Sequence, residues 1–217
     1  MVVRNSTKKV EEALVVRHRQ EPEPLAEGEL GGSVTMSRAL AQSAHGLTLN
    51  EARVMMLATR CIDPRKSPYA YAKDGYVKVR VTADEFAQMA EMAGEEGRTP
   101  TAAYEGLKAA CDKLFDRRAT WREGKKIIKL AWVWKATYHE GEGWAEVCFS
   151  PDMTPHLFML GSKFVRYRLE MARGLRSTYS VNLLRLLMTQ KDTGFLAITL
   201  DDFKHAMEVP ISYQYKD

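Results

Sequence analysis

The stretch K163-FVRYRLEMARGLRSTYSVNLLRLLMT-Q190, followed by K191-DTGFLAITLDDFKHAMEVPISYQ-Y215, sets the reading of the whole chain. It opens with a basic lead-in, Arg166, Arg168, Arg173 and Arg176. Ser177 then stands where a helix cap belongs, and Leu183, Leu184, Leu187 and Met188 are expected on the buried side of a helix. A short strand-like segment follows, and Thr199 with Asp202 caps a second helix. Two helices in this order open a winged helix, a fold that mostly serves nucleic-acid binding.

The same grammar recurs upstream. Thr48 precedes Glu51 and Thr82 precedes Glu85, the spacing at which a hydroxyl and a carboxylate satisfy the free N–H groups of a first helical turn. Helix 48–61 is expected to bury Ala52, Met55, Met56 and Thr59, and helix 82–93 follows the alternating strand 76–81. Thr99-Pro100 starts a third helix with the core stripe Ala103, Leu107, Ala110 and Leu114. Residues 125–138 alternate as one long strand, with Ile128, Leu130, Trp132 and Trp134 on one face. Gly141-Glu142-Gly143 makes the turn into the returning strand 144–149. Three helices and a hairpin make an α+β winged helix, with a partial second one behind it.

The chain has 217 residues and a net charge of +4, with 45% apolar residues, as an ordinary soluble domain has. No apolar run approaches the roughly 20 residues of a membrane span, and no signal peptide opens the chain, so a cytoplasmic protein without membrane contact is expected. Cys61, Cys111 and Cys148 are expected as reduced core thiols. No nucleophile elbow, phosphate loop or metal-ligand spacing occurs, so neither catalysis nor a cofactor or metal is expected. The tryptophans and methionines sit at core spacing, and the histidines are scattered.

The charge is concentrated. Residues 108–135 carry nine Lys/Arg against three acids, and residues 163–191 carry seven against Glu170. Two such islands suit a polyanion. On the third helix Thr101, Tyr104 and Lys108 are candidates to reach DNA, and Arg117, Arg118, Arg122, Lys125 and Lys126 are candidates for phosphate contact at the helix end and wing base. Arg166, Arg168, Arg173, Arg176 and Ser177 form a candidate phosphate clamp at a helix N-terminus. Residues 1–33 read as a charged amphipathic helix and a Pro/Gly/Glu-rich linker.

The segments LTLNEARVMMLATRCID, AYEGLKAACDKLFDRR, FVRYRLEMARGLRSTYSVNLLRLLMTQ and ITLDDFKHAMEVP resemble the replication initiator (Rep) proteins of iteron-containing plasmids. The resemblance covers about residues 45–217. It implies two winged-helix domains, 34–160 dimerising and touching the DNA backbone, and 161–217 opening the second, with the groove-reading helix after Tyr213 and Tyr215 absent. It further implies double-stranded DNA partners (origin repeats and an operator), a homodimer that exchanges with monomer, and assembly with a host initiator and helicase. A winged-helix repressor without a replication role, or an interaction module without DNA affinity, would fit the residues alone.

Overall fold

The computed structural model describes residues 31–68, 76–91, 99–158, 160, 164–172 and 174–210. The expectations for 1–30 and for Tyr213 and Tyr215 fall outside them. At the centre lies α2 (Leu49–Arg60), in which every residue from Glu51 to Thr59 is buried. One-sided burial was expected. The helix is instead enclosed by β1 (Ser33–Ser37), β2 (Lys78–Thr82), α3 (Ala83–Glu91), α4 (Pro100–Leu114) and α6 (Thr178–Met188), so it has no solvent face along that stretch.

The caps form as expected. Thr48 N donates to Glu51 Oε2 at 3.0 Å, and Thr82 N donates to Glu85 Oε2 at 3.0 Å while Glu85 N returns to Thr82 Oγ1 at 3.2 Å. Thr99 Oγ1 accepts from Ala102 N at 3.2 Å, with Pro100 in the first turn. In α4 the expected stripe Ala103, Leu107, Ala110 and Leu114 is buried, joined by Cys111. Burial pushes the Cys111 thiol up to about 12, so it remains a neutral core group. Cys61, expected in the core, is exposed.

The long strand expected over 125–138 is two strands. β3 (Arg118–Glu123) pairs with β4 (Lys126–Ala131), and separately β5 (Val133–His139) pairs with β6 (Trp144–Phe149) across the expected glycine turn. The break falls at Trp132. Its ring turns inward against His45, 4.6 Å between centroids, and its Nε1 donates to the His45 carbonyl at 3.1 Å. The pairing of β5 then slips between Val133 and Lys135. Because side-chain direction alternates with period two, this slip puts Trp134 outside at 46% exposure while Trp132 is 1% exposed. The two do not share a face.

After α1 (Arg38–Ala41), the other short elements are α5 (Thr154–Leu157), β7 (Phe164–Arg168) and α7 (Leu200–Ala206). β7 returns to pair antiparallel with β1, Val34 opposite Tyr167, and α6 packs on α2. The described residues of β7 and α6 thus pack against the first body. The segment 191–199 forms no strand.

Helix α6 sits differently from the expectation. It buries Val181, Asn182, Arg185 and Leu186, while Leu183 and Leu187 are 38% and 50% exposed. The buried polar pair is self-satisfying in part: Arg185 donates through Nη2 to Asn182 Oδ1. Leu187→Ser is therefore expected to change stability by no more than about 0.5 kcal/mol, measured by urea unfolding.

Just past the C-cap of α7, Met207, stands Glu208, whose φ of 55° is rare outside glycine. Its carboxylate accepts from His45 N at 2.7 Å and Gly46 N at 3.1 Å, which ties α7 to the loop before α2 and holds the strained backbone in place.

Candidate nucleic-acid interface

The β3–β4 hairpin projects most of the first basic island. Its turn is Gly124-Lys125, with Gly124 at φ 57° where a two-residue hairpin needs a positive value first. Pairing places Arg118 opposite Ala131, Thr120 opposite Lys129 and Arg122 opposite Ile127. Arg118, Thr120 and Arg122 alternate with the buried Ala119 and Trp121, so Arg118, Arg122 and Lys129 share the outer face. Lys125 and Lys126 are exposed at the tip, where the sequence reading had put them at the base.

The wing is anchored firmly. Ala44 N donates to the Thr120 carbonyl at 3.0 Å and Thr120 N to the Ala44 carbonyl at 2.7 Å. His205 Nε2 meets the same Thr120 carbonyl at 3.1 Å. The Trp121 ring packs edge-on to His156 at 5.1 Å. Arg118 donates to the carbonyls of Phe115 and Arg117, at 2.7 and 2.8 Å, and so caps the end of α4 while staying exposed. Among the described residues no carboxylate pairs with Arg122, Lys125, Lys126 or Lys129. Along β3, Arg118 to Arg122 spans about 14 Å at ~3.4 Å per residue, enough to follow a run of phosphates.

Arg117 does not belong to this surface. Its Nε and Nη2 donate to both oxygens of Glu51, at 2.7 and 3.0 Å, and that carboxylate is wholly buried. Burial alone would raise the Glu51 pKa, but hydrogen bonds from Arg117 and Thr48 outweigh it and hold the carboxyl below its usual value. Arg117 is the counter-charge of the core, not a free phosphate ligand.

α4 is also not an open reading helix. Lys108 lies 3.8 Å from Glu140 and over the Tyr138 ring at 5.6 Å. Tyr138 in turn donates to Asp112 at 2.5 Å. Tyr104 is half-buried, with its hydroxyl inside. Thr101 is exposed, but the exposed positions around it include Glu105 and Asp112 against Lys113 alone among Lys/Arg. Such a face carries no surplus of cations for phosphate.

The second island is dispersed. Arg166 lies on the outer side of β7, donating to Thr35 Oγ1 at 3.2 Å with its guanidinium 5.7 Å from the Phe164 ring. Arg168 lies 3.9 Å from Glu170. Arg173 falls outside the described residues. Arg176 is exposed beside Ser177, whose hydroxyl accepts from Ser180 N at 3.1 Å as the cap of α6. Among the described residues of this island no single converging clamp is formed. Sequence reasoning missed Lys129, which cross-strand pairing alone brings beside Arg122.

A family model described as initiator replication protein, WH1, matches residues 33–188. The chain belongs to that family. This initiator-family chain also shares its fold with the Pi initiator protein solved in complex with iteron DNA. The TM-score is 0.62 at 22% identity, over 86% of this chain and 75% of that one. The WH1 domain of MSBI1.176, a replication protein isolated from a multiple sclerosis patient, aligns at 23% identity with a TM-score of 0.35, over 51% of this chain and 76% of that one. No curated protein matches. The family match confirms the winged-helix reading. Among the described residues of this family member, no helix is long and apolar enough to cross a membrane.

Proposed function

We propose that this chain initiates plasmid DNA replication by binding repeated sequences at the origin, with the β3–β4 wing laid on the phosphate backbone. The observation that carries the reading is the wing itself. Arg118, Arg122, Lys125, Lys126 and Lys129 are exposed on one anchored hairpin of an initiator-family fold. The solved relative of the same fold is an initiator held on iteron DNA, and that supports the same class of ligand here. The chain acts by binding and not by catalysis, in the bacterial cytosol or nucleoid. It forms a homodimer that represses its own promoter, and its monomer recruits the host initiator and helicase.

The test is binding of the chain to a repeat-containing origin duplex and to a scrambled duplex across a salt series, with mass recorded in parallel. The expected result is tighter binding to the repeats, with log affinity falling against log salt at a slope of about −4 or steeper. Equal affinity for both duplexes would limit the described body to backbone contact. Absence of binding at low salt would leave the chain an interaction module.

A further inference from the structure

Where β7 and α6 meet α2, the described residues surround a cavity of about 20 Å³. A single water-sized particle needs about 10–15 Å³ of such space. The wall is mostly aliphatic, with Val34, Met55 and Leu157 among its residues, but Tyr167 and Arg185 also line it. Both are deeply buried, at 2% and 4% exposure. Arg185 Nε and Tyr167 Oη find no hydrogen-bond partner among the protein groups.

The other polar groups on this wall are already engaged. His45 Nε2 bonds the Leu40 carbonyl at 2.7 Å, and Thr59 Oγ1 donates to the Met55 carbonyl at 2.7 Å. Glu208 is the carboxylate that acts on Arg185 through space. Its Oε1, however, accepts from His45 N, Gly46 N and, at 3.5 Å, Asn182 Nδ2. The guanidinium is thus a buried cation whose near hydrogen-bond partner is the neutral Asn182. Burial lowers the Arg185 pKa to about 9, with Glu208 opposing, as follows for a cation lacking a close counter-charge.

The residues of this wall therefore carry an uncommitted N–H, on the buried cation itself, and an uncommitted O–H. A water molecule asks its surroundings for acceptors as well as donors. A small anion takes donors only, and it also offsets the cost of the buried charge. We propose that this cavity binds one monovalent anion of halide size, held between the Nε–H of Arg185 and the hydroxyl of Tyr167. Burial raises the Tyr167 pKa, so the phenol stays a neutral donor at neutral pH. Since Tyr167 lies on β7 and Arg185 on α6, the ion links these two C-terminal elements to each other where they pack beside α2.

The experiment compares thermal unfolding of the full chain in sodium chloride and sodium gluconate at one ionic strength, gluconate being too large for the cavity. Crystals soaked in bromide are examined in parallel by anomalous diffraction. The expected results are a melting temperature about 2–4 °C higher in chloride and an anomalous peak between Arg185 and Tyr167. Tyr167→Phe, which removes one donor and keeps the ring, is expected to erase at least half of the chloride effect. This separates a bound ion from general salt effects on the surface. Superimposed chloride and gluconate curves, a chloride effect unchanged in Tyr167→Phe, or no bromide peak in the cavity would each overturn the proposal.

Discussion

Arg117→Ala is expected to lower the unfolding free energy by about 3 kcal/mol while leaving the salt slope of DNA binding unchanged. Glu51 is fully buried, and Arg117 donates to both of its carboxylate oxygens. Removing the guanidinium leaves a carboxylate inside the core without its counter-charge, held by the backbone and side chain of Thr48. That is the costly half of a buried pair to lose. Losing Glu51 is gentler, because Arg117 is 32% exposed and can turn to water. The double variant Arg117→Ala with Glu51→Gln is expected to recover part of the loss, read from urea midpoints in a double-mutant cycle.

The pH dependence of the same pair has a definite sign. In the native chain the Glu51 pKa is held below the ordinary 4.5, so its folded value lies under its unfolded one. The stability it contributes is present above about pH 4.5 and is lost as pH falls toward the depressed folded value. In Arg117→Ala the hydrogen bonds and charge of Arg117 are gone while burial stays, so the folded value rises from its depressed position. The loss of stability on acidification is then expected to be shallower than in the native chain. A variant whose stability still fell on acidification through that range with the native slope would show that Arg117 does not hold Glu51.

The features legible in the sequence are those with local causes. A capping box joins residues three apart, so Thr48 with Glu51 and Thr82 with Glu85 announce themselves. The α4 stripe follows from helical spacing, and the glycines at 141 and 143 mark a turn that only positive φ allows. What escaped depends on partners far along the chain. Arg117 and Glu51 are 66 residues apart, and nothing near either one distinguishes an arginine bound inward from one bound for phosphate. Likewise Trp132 leaves its strand because His45 waits 87 residues earlier. In α6 the leucine-rich side looked like core. Of it Leu184 and Met188 do pack against the core, but Leu183 and Leu187 face out because Asn182 and Arg185 take the inner positions, Asn182 reaching the distant Glu208. Basic character of the wing was visible, but which side chains share a face required the β3–β4 register.

That register makes the second large prediction specific. Arg122→Ala, Lys125→Ala, Lys126→Ala and Lys129→Ala combined are expected to leave the fold intact, since all four side chains are exposed and none pairs with a described carboxylate. The effect falls on DNA. If each cation neutralises one phosphate, the slope of log affinity against log salt becomes shallower by about 4. The ratio of native to variant affinity should then shrink by roughly 250-fold between about 50 and about 200 mM salt. Because phosphate contacts carry no base information, repeat and scrambled duplexes should weaken alike. Arg117→Ala serves as the internal contrast, costing stability without moving the slope. A combined wing variant that kept the native slope would place the DNA on another surface. One that weakened only the repeat duplex would mean that the wing reads bases and not the backbone.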